Sequence, residues 1–179
     1  EAPLDIVLSG KFGTLGIDGK IEDRDIKRAK LLLKELHLAG KIYRPFNVLS
    51  KGERQNVLIA RALMGEAEIL MLDEPCTGLD IGAREYLLNT VRNISQNDEM
   101  TMIYVTHHMD EILTDVFPQT MLLKNGMIYK LGRTEEMFGE KVMADFLEMP
   151  VEIKPSNVHG YEIKVEVKEA LGDIFHRGE

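Results

Sequence analysis

The chain has 179 residues, 44% of them hydrophobic and 29% charged, a composition typical of a soluble globular protein of one domain. Its 22 basic and 30 acidic side chains give a net charge of −8, which argues against a dedicated nucleic-acid binder because such proteins present a basic face. Every apolar run is broken within a few residues, which argues against a membrane span, and the single Cys76 excludes an internal disulfide.

Helical patterns fill the first third of the chain. A short apolar segment at residues 4–8 predicts a first helix. Apolar residues at helical spacing predict a second helix over residues 22–37, with Gly40 as its stop. Ser50 opens a third helix, because Ser50-Lys51-Gly52-Glu53 matches the capping box.

The pattern changes after Gly65. The continuous apolar run at residues 69–72 predicts a strand that is buried on both faces. A helix is predicted over residues 81–94, a second buried strand over residues 101–105, and another helix after Thr106. This alternation predicts an α/β fold in which helices connect the strands of a parallel sheet.

Two further patterns complete the chain. Lys124-Asn125-Gly126 lies between apolar segments and predicts a hairpin, and two short helices are predicted within residues 134–149. Alternating residues from 161 to 168 predict a strand with one polar face, which either covers a sheet edge or forms an ordered tail without a partner in this chain. The predicted regions are a helical subdomain over residues 1–65, a sheet-bearing part over residues 66–149 and an accessory extension over residues 150–179.

Charged side chains follow both predicted strands at the edge where α/β proteins bind ligands. Asp73 is suited to hold Mg²⁺, and Glu74 is suited to take a proton from an attacking water. His107 follows the second strand and can contact a γ-phosphate while it orients water and base. The alternative is a metal site of His107 and Glu111, one helical turn apart, but it has too few ligands at the expected spacings.

The start of the third predicted helix offers groups for an anion. Its unpaired backbone N–H groups, the Ser50 hydroxyl and the open backbone at Gly52 suit a phosphate, although the same residues also suit a plain capped helix. Asp80 closes a tight turn at residues 77–80 and is equally well explained as an ordinary helix N-cap.

Taken in order along the chain, these clusters resemble the ATP-binding-cassette (ABC) ATPases. Residues 49–55, Leu-Ser-Lys-Gly-Glu-Arg-Gln, are similar to the family's signature motif, and residues 69–74 to its Walker B strand with the catalytic glutamate. Residues 77–80 are similar to the D-loop, and His107 to the switch histidine. The resemblance covers about residues 3–149 and implies a P-loop NTPase-like parallel sheet, an N-terminal helical signature subdomain and a C-terminal hairpin or tail.

The resemblance implies that the chain binds and hydrolyses ATP with Mg²⁺ as an energising subunit of a membrane transporter. It implies partners as well: a second cassette, identical or different, and a separate membrane permease subunit, with no nucleic acid. The expected location is the cytoplasm, peripheral on the inner face of the cell membrane. The implied site residues are Glu74 and His107 for catalysis, Asp73 for Mg²⁺, and Ser50, Lys51, Gly52, Glu53, Gln55 and Asp80 for ATP.

The sequence departs from the family pattern at Lys51-Gly52, at Cys76 and in the absence of a phosphate loop. Lys51-Gly52 stands where the family has a glycine pair, which affects the fine geometry of the signature rather than its role. The phosphate loop G-x-x-x-x-G-K-[ST] is absent, because Asp5, Thr14 and Glu35 stand where its first glycine belongs before the three Gly-Lys pairs. The chain is therefore expected to be the C-terminal part of a cassette that begins just after its Q-loop, to bind Mg-ATP weakly and to show no turnover alone.

Three alternatives stay open at this point. The first is a soluble ABC ATPase that acts on ribosomes or nucleic acid. The second is the C-terminal lobe of a split, SMC-type cassette, which requires a coiled coil that residues 1–49 do not show, since they contain no sustained heptads. The third is a pseudo-cassette with a regulatory role, against which the presence of both Glu74 and His107 argues.

Overall fold

The computed structural model describes residues 1–96, 100–156 and 158–165. The chain forms two compact units, Glu1–His107 and His108–Glu179. The subdomain boundaries expected from the sequence, after residues 65 and 149, stay a prediction. Among the described residues, every helix is too short or too polar to span a membrane.

Three helices form the N-terminal part of the first unit, as predicted. They are α1 (Pro3–Ser9), α2 (Asp23–Glu35) and α3 (Lys51–Met64), with short 3-10 helices between them at Gly10–Phe12, Ala39–Lys41 and Phe46–Val48. Pro3 occupies the first turn of α1, where its missing N–H costs nothing, and acidic residues occupy the first turn of α2. The helices pack on one another through fully buried side chains, among them Val7, Leu33 and Val57.

The end of α2 differs from the prediction. The helix ends at Glu35 rather than continuing to His37, and Gly40 is not its stop. His37 takes a left-handed backbone with φ of 57°, and the Leu38 N–H donates to the Leu33 carbonyl at 2.7 Å. This is the geometry in which a left-handed residue closes a helix, so His37 does here what glycine usually does.

A parallel strand pair with a connecting helix completes the first unit and confirms the predicted α/β arrangement. The elements are β1 (Ile69–Asp73), α4 (Ile81–Ile94) and β2 (Thr101–Val105). The strands run parallel with Ile69 opposite Thr101 and Asp73 opposite Val105. The carboxyl ends of both strands therefore lie at the same edge of the sheet.

The prediction that both strands are buried on two faces is wrong. Leu70 and Leu72 are buried, but Ile69 and Met71 are 58% and 61% exposed, and Ile103 of β2 is exposed on the same face. Successive side chains of a strand point to opposite faces, and the described residues cover only one face of this pair. We call the uncovered surface, formed by Ile69, Met71, Ile103 and Val105, the open sheet face.

The prediction of a helix after Thr106 is also wrong. Only a 3-10 helix, Met109–Glu111, forms there, and Ile112 already has an extended backbone. Turns follow it, with the Val116 N–H donating to the Leu113 carbonyl at 2.9 Å. The segment after Thr106 therefore forms a 3-10 turn and further turns instead of a regular helix.

The second unit is built from two hairpins and two short helices. Its elements are β3 (Gln119–Lys124), β4 (Met127–Arg133), α5 (Thr134–Met137), α6 (Glu140–Leu147), β5 (Val151–Pro155) and β6 (Tyr161–Val165). The predicted β3–β4 hairpin is confirmed, with Asn125 and Gly126 both at positive φ, as a two-residue hairpin turn requires. The two predicted short helices are confirmed as well.

The alternating segment near the C-terminus forms β6, and it has a partner. β6 pairs antiparallel with β5, with Val151 opposite Val165 and Pro155 opposite Tyr161. The interpretation as a tail without a partner is therefore wrong. The part of the alternating segment after Val165 lies outside the described residues.

Candidate functional site

Glu74 follows β1 directly and continues the pairing of the sheet by one bond. Its N–H donates to the Val105 carbonyl at 2.9 Å. Its backbone has a φ of 47°, a left-handed conformation that costs a non-glycine residue roughly 1–2 kcal/mol. The turn therefore directs the Glu74 side chain toward His107 and leaves the Glu74 backbone strained. Strained residues of this kind cluster at functional sites.

Glu74 and His107 form a pair across the carboxyl edge of the strand pair. The Glu74 Oε1 atom accepts from the His107 backbone N–H at 3.0 Å and lies 2.6 Å from His107 Nδ1. The Glu74 side chain is 31% exposed and that of His107 68% exposed, so the pair is open to a ligand from solvent. Two groups of one residue thus hold the same carboxylate oxygen.

The hydrogen bonds from His107 lower the pKa of Glu74, and a bond of 3.2 Å from Thr77 Oγ1 to Glu74 Oε2 acts in the same direction. Burial acts against them but is outweighed. An ionised carboxylate only accepts, so His107 Nδ1 carries the hydrogen between the two side chains. A carboxylate with a lowered pKa is a weak base, and this arrangement suits orienting a water more than storing its proton.

Asp73 lies beside this pair as the last residue of β1. It is opposite Val105 in the register and exposed to solvent. Carboxylate oxygens are the ligands that Mg²⁺ prefers, and a Mg²⁺ bound together with nucleotide phosphates needs only one or two of them from the protein. The residues present therefore fit a Mg²⁺ ion through Asp73.

The start of α3 is a complete capping box. Ser50 Oγ accepts from the Glu53 N–H at 3.3 Å, and Glu53 Oε2 accepts from the Ser50 N–H at 3.0 Å. The other Glu53 oxygen pairs with Lys41, and this bond is the main reason that the pKa of Glu53 is lowered. Glu53 is thus already bound on both oxygens, whereas the Ser50 hydroxyl, the backbone N–H groups and the Lys51 amino group at this helix start suit an anion.

The start of α3 lies against the turn that precedes α4. A Cβ atom on Gly52 would lie 3.3 Å from Ala83 Cβ, and a Cβ atom on Gly78 would lie 2.6 Å from Lys51 Nζ. Gly78 also has a φ of 71°, so its backbone favours glycine. Asp80 caps α4, since its Oδ1 accepts from the Ala83 N–H at 2.8 Å.

The structure thus arranges most of the predicted site residues around the turn at Thr77 and Gly78. Thr77 bonds to Glu74, and Gly78 lies under the end of the Lys51 side chain. Gln55 is half-buried on α3, two residues after the capping box. The roles assigned to these residues from the resemblance stay predictions.

Three contacts at the site were not foreseen. They are the bond of Thr77 to Glu74, the pairing of Lys41 with Glu53, and a contact of 3.3 Å between Cys76 Sγ and Tyr104 Oη. Only the first is local, because it joins residues three apart in the sequence. The other two join residues that are distant in the sequence.

The helical geometry expected for the alternative metal site of His107 and Glu111 does not form. It required both residues on one helix, one turn apart. The 3-10 helix begins only at Met109, after an extended His108, so the chain from His107 to Glu111 is not one helix.

Comparison with known proteins places these observations in a family. Residues 10–77 match the family described as ABC transporter. Over 154 residues, 86% of this chain and 58% of the relative, the chain is 38% identical to the uncharacterized ABC transporter ATP-binding protein YlmA of Bacillus subtilis. Over 148 residues, 83% of this chain and 58% of the relative, it is 30% identical to the molybdate import ATP-binding protein MolC of Haemophilus influenzae.

The fold agrees with this assignment. An ABC transporter solved in an inward-facing conformation superposes with a TM-score of 0.81 at 26% identity, over 96% of this chain and 69% of that one. The chain spans 58% of the length of both curated relatives named above. These matches give no support to the ribosome-bound, nucleic-acid-bound or split-cassette alternatives. Residues 10–77 therefore belong to the ABC transporter family, and most of the chain is similar to ABC transporter ATP-binding proteins.

Proposed function

We propose that this chain takes part in ATP hydrolysis as a portion of an ABC-type ATPase that energises a membrane transporter. The observation that carries the proposal is the Glu74–His107 pair at the carboxyl edge of the parallel strands. Family membership supports it, and so does the opening of this pair to solvent.

Each group at the edge then has a chemical task. Glu74 accepts a hydrogen bond from the attacking water and aligns it, and His107 keeps the Glu74 carboxylate in place. Asp73 would hold Mg²⁺, which neutralises charge on the β- and γ-phosphates of ATP. In its protonated form, His107 also has a second N–H with which to bind a γ-phosphate oxygen.

We propose that the start of α3 serves a nucleotide held by another cassette. Ser50, the backbone of Lys51 and Gly52, and Gln55 would bind the phosphates of that ATP, with Asp80 in the adjoining turn. The helix start favours anions through its N–H groups and dipole, and the amino group of Lys51 adds a positive charge. The expected partner is a second cassette, identical or different.

The open sheet face suggests how the site is completed. The four apolar side chains of that face lie where a further layer of the protein would cover them. The chain contains no G-x-x-x-x-G-K-[ST] loop, which the family needs to cradle phosphates. We therefore propose that a polypeptide segment with this loop packs on the open sheet face, and that the 179-residue chain alone binds Mg-ATP weakly without turnover.

The remaining partner is a membrane permease subunit. MolC is named for molybdate import, and transport through a membrane requires a channel-forming chain. A chain that drives such a permease with ATP works in the cytoplasm, peripheral on the inner face of the membrane.

The test is an ATPase assay on the product of the complete reading frame that contains these residues. Glu74→Gln removes the negative charge that aligns the attacking water but keeps the shape of the side chain. We expect turnover to fall by about 10²–10⁴-fold, the range for losing a side chain that acts on the attacking water, while ATP binding measured by calorimetry is retained.

The matched control is Glu35→Gln, an exposed carboxylate at the end of α2 that has no place in the site. It should leave both turnover and ATP binding unchanged. The proposal fails if Glu74→Gln turns over ATP as fast as Glu35→Gln. The purified 179-residue chain is the second arm, and steady phosphate release from it would overturn the proposed need for a phosphate-loop segment.

A further inference from the structure

One carboxylate lies in the first turn of α3, where the proposed function expects the phosphates of an ATP. It belongs to Glu53, and its Oε2 atom accepts from the Ser50 N–H at 3.0 Å, so it is held against the helix start. A negative charge at this place stabilises the helix, because the N-terminal end of the helix dipole is positive. The same charge repels a phosphate, so Glu53 opposes the anion binding proposed for this helix start.

Lys41 supplies the opposite charge from a different element. It is the last residue of the 3-10 helix before α3, and its amino group forms an ion pair with Glu53 Oε1. The two side chains are 35% and 26% exposed, so salt and water screen this pair less than a fully exposed one. The bond from Lys41 is the largest cause of the lowered pKa of Glu53, and Arg44 adds a smaller effect in the same direction. Glu53 is therefore ionised at neutral pH, and Lys41 offsets its charge.

Lys51 does not take this role although it is close in the sequence. It is the exposed first residue of α3, only two positions before Glu53. Residues two apart on a helix do not face each other, and the end of the Lys51 side chain lies over Gly78 instead. The ion pair of Glu53 with Lys41 therefore leaves the charge of Lys51 and the helix dipole to attract an anion.

We propose that Lys41 is a positioning residue that acts through Glu53, offsetting its charge so that the start of α3 accepts the phosphates of an ATP. The inference rests on the proposed function, in which this helix start serves a nucleotide held by another cassette. Lys41 itself does not touch the nucleotide. All the residues involved belong to the first compact unit.

The test is Lys41→Gln in the product of the complete reading frame, with phosphate release measured against the concentration of Mg-ATP. Glutamine can still donate a hydrogen bond to Glu53 but carries no charge. We expect KM for ATP to rise about 3-fold to 10-fold, the size expected for one added charge several ångströms from a phosphate at a solvated site. The value of kcat should not change, because a change in KM alone is the sign of lost binding rather than of lost chemistry.

Glu53→Gln separates the charge of Glu53 from the structure around it. A glutamine at this position still accepts from the Ser50 N–H, so the capping box is kept. In the double variant with Lys41→Gln no charge is left to offset, and KM should return to the wild-type value. Glu53→Gln alone should lower KM, because it leaves Lys41 as an added positive charge, and it tests the proposal even if Lys41→Gln does not fold.

The start of α2 provides a matched control. Lys11 pairs with Asp25 Oδ2 at 2.6 Å, and the same oxygen accepts from the Glu22 N–H at 2.9 Å. This arrangement repeats that of Lys41 and Glu53 in the same unit, but α2 has no place in the proposed site. Lys11→Gln should therefore lower the thermal midpoint, as Lys41→Gln does, and leave KM for ATP unchanged.

Ionic strength distinguishes an effect of charge from an effect of packing. Salt shortens the distance over which charges act, so the ratio of KM between Lys41→Gln and the wild type should approach one as salt is added. A ratio that does not respond to salt would show that Lys41 acts through packing, and would overturn the proposal.

The outcomes distinguish the two proposals. If Glu74→Gln lowers turnover but Lys41→Gln leaves KM unchanged, the role of Lys41 is wrong and the proposed function stands. The role of Lys41 is also wrong if the double variant keeps the raised KM, if Glu53→Gln alone raises KM, or if Lys11→Gln raises KM equally. If Glu74→Gln leaves turnover unchanged, the proposed function itself is wrong. A raised KM that Glu53→Gln reverses supports the role of Lys41.

Discussion

The three N-terminal helices and the parallel strand pair bury their apolar side chains to different extents. In the helices, Val7, Leu33 and Val57 are all inaccessible to solvent. In the strands, Ile69 and Met71 are more than half exposed although they belong to a continuous apolar run. The helical region closes its own core, whereas the sheet keeps one apolar face open.

The difference follows from the geometry of the two kinds of element. An amphipathic helix has one apolar stripe, so three helices can cover one another. A strand of a parallel sheet has apolar side chains on both faces and needs a layer on each side. A self-sufficient helical region and a sheet that lacks one layer can therefore occur in the same compact unit.

The largest change in the free energy of unfolding is expected for a substitution in the core of the three helices. Leu33→Ala should lower the free energy of unfolding of the 179-residue chain by about 2–5 kcal/mol, because it leaves a cavity. Leu31→Ala is the control, since Leu31 lies on the same helix and is 58% exposed, and it should change the free energy by less than about 0.5 kcal/mol. Urea denaturation followed by circular dichroism measures both, and equal losses would show that the helical core is not closed.

A smaller effect is expected at the start of α3, where stability is local to one helix. Ser50→Ala removes the hydroxyl that caps the Glu53 N–H and should cost about 1 kcal/mol in the same urea experiment. Ser50→Thr keeps a hydroxyl and should recover most of this loss. A Thr variant as unstable as the Ala variant would contradict the capping role.

The smallest effect on stability is expected on the open sheet face. Met71→Lys combined with Ile103→Lys should change the free energy of unfolding of the 179-residue chain by less than about 0.5 kcal/mol, because both side chains are exposed. The variant should also bind less of a fluorescent dye that reports apolar surface. Leu31→Lys, which removes a single exposed leucine of α2, is the control and should change dye binding little.

In the product of the complete reading frame, the Met71→Lys and Ile103→Lys double variant tests directly whether another segment covers the open sheet face. If another segment covers the open sheet face there, two buried lysines would be strongly destabilising. Equal tolerance in both proteins would contradict the proposal that this face is covered.

Most elements could be predicted because their signals are local. The helical spacing before Glu35, the capping box at Ser50 and the Asn125-Gly126 turn each involve only a few neighbouring residues. The order of the motifs was equally accessible, since it depends on the sequence alone. These signals were sufficient for the α/β architecture and for the identity of the family.

The failures concern contacts between distant parts of the chain. An apolar run shows that the strand at Ile69–Asp73 suits burial on both faces, but it cannot show what covers each face. Likewise, the sequence near residue 161 does not indicate that β6 pairs with β5 rather than with another sheet. The helical pattern after Thr106 was too short to determine a helix, and only the 3-10 helix Met109–Glu111 forms there.

In the candidate site too, the positions of single residues could be predicted, but the contacts between them could not. Glu74 and His107 could be selected from their positions after two strands, since parallel strands bring such positions to one edge. The two bonds that His107 makes to one oxygen of Glu74 could not be predicted, and neither could the approach of Gly78 to Lys51. These depend on backbone angles that the residue types alone do not determine.

The left-handed backbone of Glu74 has a consequence for attempts to engineer this protein. Glycine relaxes a backbone with φ of 47°, so Glu74→Gly removes strain while it deletes the carboxylate. Selection for thermal stability alone would therefore favour loss of the proposed catalytic group. At position 74, thermal stability and catalytic activity conflict. A stabilised variant that keeps Glu74 has to gain its stability from substitutions elsewhere in the chain.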